Sequence, residues 1–263
     1  MHVTTGRVGR LVTSLAAVAA LGVGLVSGPG TASAADSSRS MQLNGPHYQQ
    51  PSVGQCRNYT WDAGLKDSNS SPVVSCSKTH TARVIAVPML PAGMTWSASA
   101  DSLERVMMKA CYPKFEKALG RTAKIRHRSA YGIMWFIPTR TQRSHGARWI
   151  RCDIALRGGQ QLRPIPKDTA PMLPAGSLPD RIARCLSGDQ HLMTVCVKSH
   201  NYRATGATVV DRTRYPGSNT LFSIAKKRCP GLVNTRRYYA TWPTKNSWRA
   251  GDHVIVCYSH TSN

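Results

Sequence analysis

The spacing of apolar residues predicts one amphipathic helix in each half of the chain. Between 97 and 119, apolar side chains recur every four residues, which places them on one ridge of a helix. The residues of this ridge are Leu103, Met107, Cys111, Phe115 and Leu119. Gly120 is suited to end the helix, whereas Pro113 is expected to kink or divide it. A shorter helix is predicted over 219–228.

Short segments rich in Val, Ile, Tyr and Trp predict β-strands, because these residues favour extended backbone. The segments are 73–77, 82–87, 131–137, 148–155, 193–198, 204–210, 237–242 and 252–258. Short strands combined with one helix in each half indicate an α+β fold. We expect two small modules, each an antiparallel sheet with one packed helix.

A sequence repeat divides the chain into these two modules. The pattern C-x-K-[ST]-H-x-x-R occurs at 76–83 and again at 196–203. A second set of residues, Pro-Thr, Gly, Ile and Cys, has identical spacing at 138–152 and 243–257. Because both sets occur in the same order, we interpret them as a tandem repeat. The predicted boundaries are 52–156 for module 1, 157–177 for a Gly/Pro-rich linker and 178–263 for module 2.

Residues 1–34 have the pattern of a signal peptide. Two arginines precede an apolar segment over 11–26, which is short for a membrane span. The small residues 32–34 then form a cleavage signal, so we expect a secreted, extracytoplasmic protein. Retention of the segment as an uncleaved anchor is the alternative. Residues 35–51 are polar and are expected to form a mobile mature N-terminus.

The chain is strongly basic, which limits its chemistry. It carries 35 Lys and Arg against 12 Asp and Glu, a net charge of +23. The signal segment holds two of these arginines and no acid, so the mature chain keeps a charge of +21. With two glutamates and scattered aspartates, a glycosidase-type pair of carboxylates has little support. We therefore predict that the protein is not an enzyme and needs no cofactor.

Eight cysteines in an exported chain predict disulfide bonds, since exported proteins meet an oxidising environment. They are Cys56, Cys76, Cys111, Cys152, Cys185, Cys196, Cys229 and Cys257. The sequence has no C-x-x-C pair, which disfavours a zinc ribbon or a thioredoxin-type site, and no metal is predicted. Four cysteines fall in each module, so we expect both modules to be disulfide-stapled.

The closing motif of module 2, from Pro243 to Cys257, resembles that of the septum-formation domain family. Residues 111–120 resemble the helix of that family, and the pairs Cys76–His80 and Cys196–His200 resemble its cysteine–histidine motif. The resemblance covers both modules and implies an exported or membrane-anchored protein of high-GC Gram-positive bacteria. It implies a role near the division septum, but no defined reaction.

Some residues depart from the family pattern. Arg83 and Arg203 occupy equivalent positions in the two modules, where family members usually have an acidic residue. Module 1 lacks the Trp248 and Asp252 of module 2. Any activity that depends on these two residues would therefore lie in module 2 alone.

Four cysteines in each module allow three pairings, and spacing alone does not decide among them. We favour Cys56–Cys76 with Cys111–Cys152, and Cys185–Cys196 with Cys229–Cys257. The first bridge of each module would join the entry strand to its neighbour. The second would join the helix to the last strand.

Two pairs of repeat-equivalent residues are candidates for a site in each module. His80 and His200 are interpreted either as metal ligands or proton carriers, or as histidines that fix a turn through a backbone hydrogen bond. The structural role is favoured. Thr139 and Thr244 are interpreted as nucleophiles or, preferably, as hydroxyls that cap a turn.

Trp248 and Asp252 are candidates for ligand contacts. Trp248 is interpreted either as a stacking platform for a sugar or peptide, or as a packing residue of the core or its edge. Asp252 is interpreted as a ligand contact or, preferably, as either a turn residue or the partner of a nearby arginine in an ion pair.

Clusters of Lys and Arg are the clearest functional signal. Two of them are Lys124, Arg126 and Arg128, and Lys226, Lys227 and Arg228. Outside the membrane, such clusters attract an anionic cell-wall polymer or a membrane surface, and salt weakens the attraction. Specific nucleic-acid binding is not expected of an exported protein.

The favoured hypothesis is an exported, non-catalytic protein that associates with the cell envelope. Its partners would be anionic envelope components or an acidic envelope protein. A role in cell division, near the septum or wall growth, is implied by the resemblance. The alternative is a secreted cell-wall hydrolase that uses His200 and Asp252.

Overall fold

The computed structural model describes residues 44–167 and 172–261. The predicted signal peptide, residues 1–34, lies outside the described residues, as do most of the predicted mobile segment and part of the predicted linker.

Module 1 is built around an antiparallel sheet. Its strands are β1 (Cys56–Arg57), β2 (Val73–Val74), β3 (Ala82–Ala86), β4 (Tyr131–Phe136), β5 (Arg151–Arg157) and β6 (Leu162–Arg163). Their order is β2-β1-β3-β5-β4, and β6 pairs with the end of β5. Strand β5 is buried over most of its length because it pairs with β3 on one side and β4 on the other.

Four helices accompany this sheet. They are α1 (Trp61–Gly64), α2 (Ala100–Leu119), α3 (Ala123–Arg126) and α4 (Arg140–Ser144). The long helix α2 begins after Ser99, whose hydroxyl accepts a hydrogen bond from the N–H of Ser102. It ends at Gly120, which has a positive φ of 65° that favours glycine.

The apolar ridge of α2 faces the core, as predicted. Met107, Cys111 and Leu119 are buried on this side of the helix. Helix α2 is not divided at Pro113, contrary to one of the outcomes that we expected. Pro113 is exposed, so solvent can reach the one carbonyl that lacks its usual N–H donor there.

Module 2 repeats the architecture of module 1. Its elements are β7 (Arg184–Ser187), β8 (Leu192–Val195), β9 (Tyr202–Val209), α5 (Ser218–Arg228), a 3-10 turn (Cys229–Gly231), β10 (Tyr238–Thr241), α6 (Lys245–Arg249) and β11 (Val254–His260). The strand order β8-β7-β9-β11-β10 corresponds strand for strand to the order β2-β1-β3-β5-β4 of module 1. The two antiparallel sheets with few helices confirm the α+β class. That the modules are two copies of one unit stays a prediction.

Four disulfide bonds lie within the described residues, and their pairing is the predicted one. They are Cys56–Cys76, Cys111–Cys152, Cys185–Cys196 and Cys229–Cys257, with Cα–Cα distances of 5.3, 5.5, 5.1 and 5.4 Å. Cys111–Cys152 joins α2 to β5, and Cys229–Cys257 joins the 3-10 turn after α5 to β11. No bridge joins the two modules.

The two modules share one hydrophobic cluster. Ile182 and Val195 of module 2 pack in the same cluster as Leu119 of module 1. Ile165 and Leu173, from the predicted linker, are 5% and 1% exposed in that cluster. The described part of the linker therefore packs into the molecule instead of extending between separate modules, because it carries apolar side chains that its Gly/Pro content obscured.

Residues 44–50, at the end of the predicted mobile segment, contact module 1. The N–H of Gly45 donates to the carbonyl of His145, and the N–H of Arg148 donates to that of Pro46, at 2.6 and 2.9 Å. The ring of Tyr48 stacks on that of His145 at 4.5 Å. The described end of the segment is therefore attached to the loop between α4 and β5.

Candidate functional site

The repeated histidines are buried and bonded to the backbone. His80 and His200 are 0% and 4% exposed. Nδ1 of each ring lies 2.8 or 2.7 Å from the carbonyl oxygen of Lys78 or Lys198, two residues earlier. A carbonyl oxygen only accepts, so Nδ1 donates and fixes the turn after the disulfide. This is the structural role that the sequence favoured.

Sulfur and nitrogen atoms of Cys185, Cys196 and His200 lie within 4.8 Å of one another. Both sulfurs are joined in a disulfide bond, however, so neither is a thiolate that would bind a metal ion. The cluster is a packing arrangement around the bridge in this oxidised state.

The two repeat-equivalent arginines have different partners. Arg203 forms an ion pair with Asp180 at 2.7 Å. Arg83 donates a hydrogen bond to the carbonyl of Gly54 at 3.4 Å. The two positions are equivalent in the sheets, since Arg83 lies opposite Cys56 and Arg203 lies opposite Cys185.

Thr139 and Thr244 cap short helices. The hydroxyl of Thr139 accepts a hydrogen bond from the N–H of Gln142, and the side-chain oxygen of Gln142 accepts one from the N–H of Thr139. This reciprocal pair is a capping box. The hydroxyl of Thr244 accepts from the N–H of Ser247 at the start of α6. Both threonines therefore have the capping role that the sequence preferred over nucleophilic chemistry.

Trp248 is a core residue. It is 2% exposed, packs with Leu221 and Ile255, and stacks on the ring of His253 at 4.1 Å. A ring that is so enclosed does not offer a face to a sugar or a peptide. Of the two interpretations of Trp248, the structure supports packing.

Asp252 lies in a polar cluster between the modules. Tyr112 from α2 and His127, which follows α3, meet Asp252, which precedes β11. His127 Nε2 is 2.9 Å from the Tyr112 hydroxyl and 3.5 Å from Asp252 Oδ1. Asp252 Oδ1 also accepts a hydrogen bond from the N–H of Val254 at 3.1 Å. Asp252 therefore bonds to the backbone two residues later, as a turn residue does, and its ion-pair contact among the described residues is with a histidine instead of an arginine.

Burial shifts the pKa values of this cluster. It raises the pKa of Asp252 to about 6, although the Val254 N–H opposes the shift. Burial, with the nearby cations Arg184 and Arg126, lowers the pKa of His127 to about 3. At neutral pH, His127 is therefore uncharged.

The cluster has groups that exchange protons, but it is enclosed. The side chains of His127 and Asp252 are 13% and 15% exposed. His200, the proposed partner of Asp252 in a hydrolase, bonds through its ring to Lys198 instead. Sequence reasoning missed Tyr112 and His127, since no local pattern shows a contact between modules. The one available signal was that Tyr112 directly follows Cys111, a core-facing residue of the predicted helix.

The first basic cluster is largely used within the fold. Lys124 is exposed. Arg126 forms an ion pair with Glu116. Arg128 donates to the carbonyl of Thr205 in module 2 at 3.3 Å. This cluster therefore connects structural elements, and only Lys124 is fully available to solvent.

The second basic cluster is exposed and adjoins aromatic rings. Lys226, Lys227 and Arg228 are exposed at the end of α5. Arg228 also donates to Thr208 and to the Val209 carbonyl at 3.0 Å. The two lysines have no ion-pair partner among the described residues.

A slot of about 280 Å³ separates α5 from β10 beside these lysines. Phe222, Lys226, Tyr238 and Trp242 line it, and none of the described residues that line it is acidic. Phe222 is 55% exposed, and its ring centroid is 6.0 Å from that of Trp242. We name Phe222, Lys226, Lys227, Tyr238 and Trp242 the basic–aromatic patch.

The fold and the patch define a basic, disulfide-stapled α+β protein with an exposed cationic surface. The family model described as Septum formation matches residues 53–257 in one span, and the chain belongs to that family. This membership confirms the resemblance seen in the motifs. The single span covers both modules and does not by itself separate two copies. No curated protein and no solved structure matches the chain.

Among the helices of the described residues, none is both long enough and apolar enough to cross a membrane.

Proposed function

We propose that this septum-related protein is exported and acts without catalysis as an envelope-binding protein. Its ligand would be an anionic polymer of the cell wall, bound by the basic–aromatic patch of module 2. The observation that carries the proposal is a pair of exposed lysines, without an ion-pair partner in the described part of the chain, beside the exposed ring of Phe222 and the half-buried ring of Trp242.

The chemistry of the patch is complementary to an acidic glycan. Lys226 and Lys227 supply positive charge that solvent ions screen, so the attraction is strong at low salt and weak at high salt. The rings of Phe222 and Trp242 supply apolar faces on which sugar rings can pack. A net charge of +21 on the mature chain adds a long-range attraction that raises the rate of association.

The hydrolase alternative has less support. His200 and Asp252 each bond to other groups, and both are largely enclosed. The family is not a known enzyme family. An acidic envelope protein, the other partner expected from the sequence, would use the same patch and is distinguished by the choice of ligand in the test.

The test measures retention of the purified chain on isolated cell wall over a series of salt concentrations. We expect retention to fall steeply as salt rises. The double variant Lys226→Glu/Lys227→Glu should weaken retention by about tenfold at low salt, which corresponds to roughly 1.4 kcal/mol.

The matched control is Lys114→Glu/Lys117→Glu, which changes the net charge equally at two exposed lysines on α2. It should weaken retention clearly less than the patch variant. Retention that is independent of salt, or equally reduced by both variants, would contradict binding through the patch. Lysis of peptidoglycan in a zymogram that is lost in His200→Ala would favour the hydrolase.

A further inference from the structure

A second and larger groove lies on module 1, between α2 and β3. Its volume is about 800 Å³, within the range of about 300–1,000 Å³ usual for small-molecule sites. The surface of the groove is mainly apolar, and the half-buried residues Ile85, Val87, Pro88 and Met172 form its floor. An open apolar surface of this kind favours the burial of hydrocarbon.

Basic residues border the same groove. Lys114 and Lys117 border it from α2, and Arg83 borders it from β3. Both lysines are exposed, and their three-residue spacing brings them to one side of the helix. No Asp or Glu is among the described residues that line the groove. The groove thus combines an apolar floor with a positively charged border.

We infer that this groove binds a single-chain fatty carboxylate. The acyl chain lies along the apolar floor, where each methylene that leaves water adds to the affinity. The carboxylate lies at the border, where the ammonium groups of Lys114 and Lys117 attract it. The inference goes beyond the envelope binding proposed above and does not depend on it.

Other occupants match the groove less well. A hydrophilic wall polymer has no hydrocarbon to place on the floor, and its hydroxyl groups would lose water there without new partners. An extended peptide would meet the same penalty for its backbone amides. An uncharged long-chain alcohol would use the floor but not the lysines.

The experiment titrates the full mature chain with a fluorescent 16-carbon carboxylate below its micelle concentration. A 6-carbon carboxylate and a 16-carbon alcohol serve as competitors. We expect saturable binding that unlabelled 16-carbon carboxylate displaces, with both other competitors at least about tenfold weaker.

Two variants test the location. Lys114→Glu/Lys117→Glu should weaken binding about tenfold, because it reverses the charge at the border. Lys226→Glu/Lys227→Glu makes the same change in net charge outside the groove and should leave binding unchanged. Val87→Trp, at a half-buried position of the floor, should abolish binding while circular dichroism remains that of the parent protein.

The proposal is overturned if the carboxylate does not bind, if the alcohol competes equally, or if both lysine pairs have the same effect. The proposal is also overturned if the protein binds anionic vesicles but does not bind the dispersed, monomeric carboxylate. In the wall-retention experiment the roles are reversed: Lys226→Glu/Lys227→Glu should reduce retention, and Lys114→Glu/Lys117→Glu is the control. Failure of the groove proposal is therefore distinguishable from failure of the envelope proposal.

Discussion

At the scale of single residues, Asp252 and His127 make opposite contributions to the pH dependence of stability. Asp252 has a pKa of about 6 in the folded protein against 3.8 for an ordinary Asp, so the folded state loses stability as pH rises between these values. His127 has a pKa of about 3 against 6.5, so the folded state loses stability as pH falls below 6.5. The two contributions partly cancel between about pH 4 and 6.

Asp252→Asn should remove the contribution of the carboxylate and retain an oxygen that accepts from the Val254 N–H. We expect the variant to gain stability relative to the parent as pH rises from 4 to 6, with a constant gain above 6.5. The upper limit is about 3 kcal/mol, since one pKa unit corresponds to about 1.4 kcal/mol. Urea denaturation at pH 4.5 and 7.5 measures this difference. An equal effect at both pH values would argue against a buried carboxyl of raised pKa.

At the scale of secondary structure elements, the pairing of β9 with β11 contains a bulge. Cys257 pairs with Gly206, but Tyr258 pairs with Ala204, so Thr205 is an extra residue on β9. Leu232 packs directly over the bulge. A Cβ atom at Gly206 would lie 2.6 Å from both the Cβ and the carbonyl oxygen of Leu232. Glycine is therefore required here by close backbone approach.

Gly206→Ala should lower the free energy of unfolding by about 1–3 kcal/mol, because the methyl group forces β9 and Leu232 apart. Gly231→Ala is the matched control, since a Cβ there meets nothing within 4 Å. Its effect should stay within about 0.5 kcal/mol. Chemical denaturation of both variants decides the matter, and a neutral Gly206→Ala would refute the close approach.

The apolar ridge of a helix and segments rich in Val, Ile, Tyr and Trp made elements predictable, whereas strands without these residues were missed. The ridge of α2 and the pairing of all eight cysteines agree with the structure. Strand β6 was missed. Strands β1 and β7 were also missed, because their sequences CR and RCLS contain none of the Val, Ile, Tyr and Trp that marked the predicted strands. They form only because β3 and β9 offer them a pairing edge.

At the scale of the whole molecule, the two modules form a continuous structure. Ala130 donates to the carbonyl of Ile182 at 2.8 Å, and Arg184 donates to that of Arg128 at 2.7 Å. Asn246 of module 2 donates from its side chain to the carboxylates of Asp101 and Glu104 on α2. Sequence patterns do not reveal such contacts, since they join residues that are far apart in the chain. The Tyr112–His127–Asp252 cluster was missed for the same reason.

Ile182→Ala should destabilise both modules together. Its side chain is 5% exposed in the shared cluster, so truncation should cost about 2–5 kcal/mol. Hydrogen exchange should accelerate in β4 as well as in β11, because a shared core couples their unfolding.

The control for this experiment is Val197→Ala, at an aliphatic residue of module 2 that is 57% exposed. It should change exchange in neither strand. The modules would unfold independently if Ile182→Ala accelerated exchange in β11 but left exchange in β4 as slow as in the parent protein, or slower.

The disulfide bonds span only 20, 41, 11 and 28 residues, and none crosses between modules. If the chain crosses the membrane with its N-terminus first, all four cysteines of module 1 emerge before Cys185 does. Module 1 can therefore complete its oxidation while the rest is still in transit, which leaves few thiols for mispairing with later arrivals. Each bridge joins two consecutive cysteines of the chain, so pairing in the order of the sequence yields the native set of bonds.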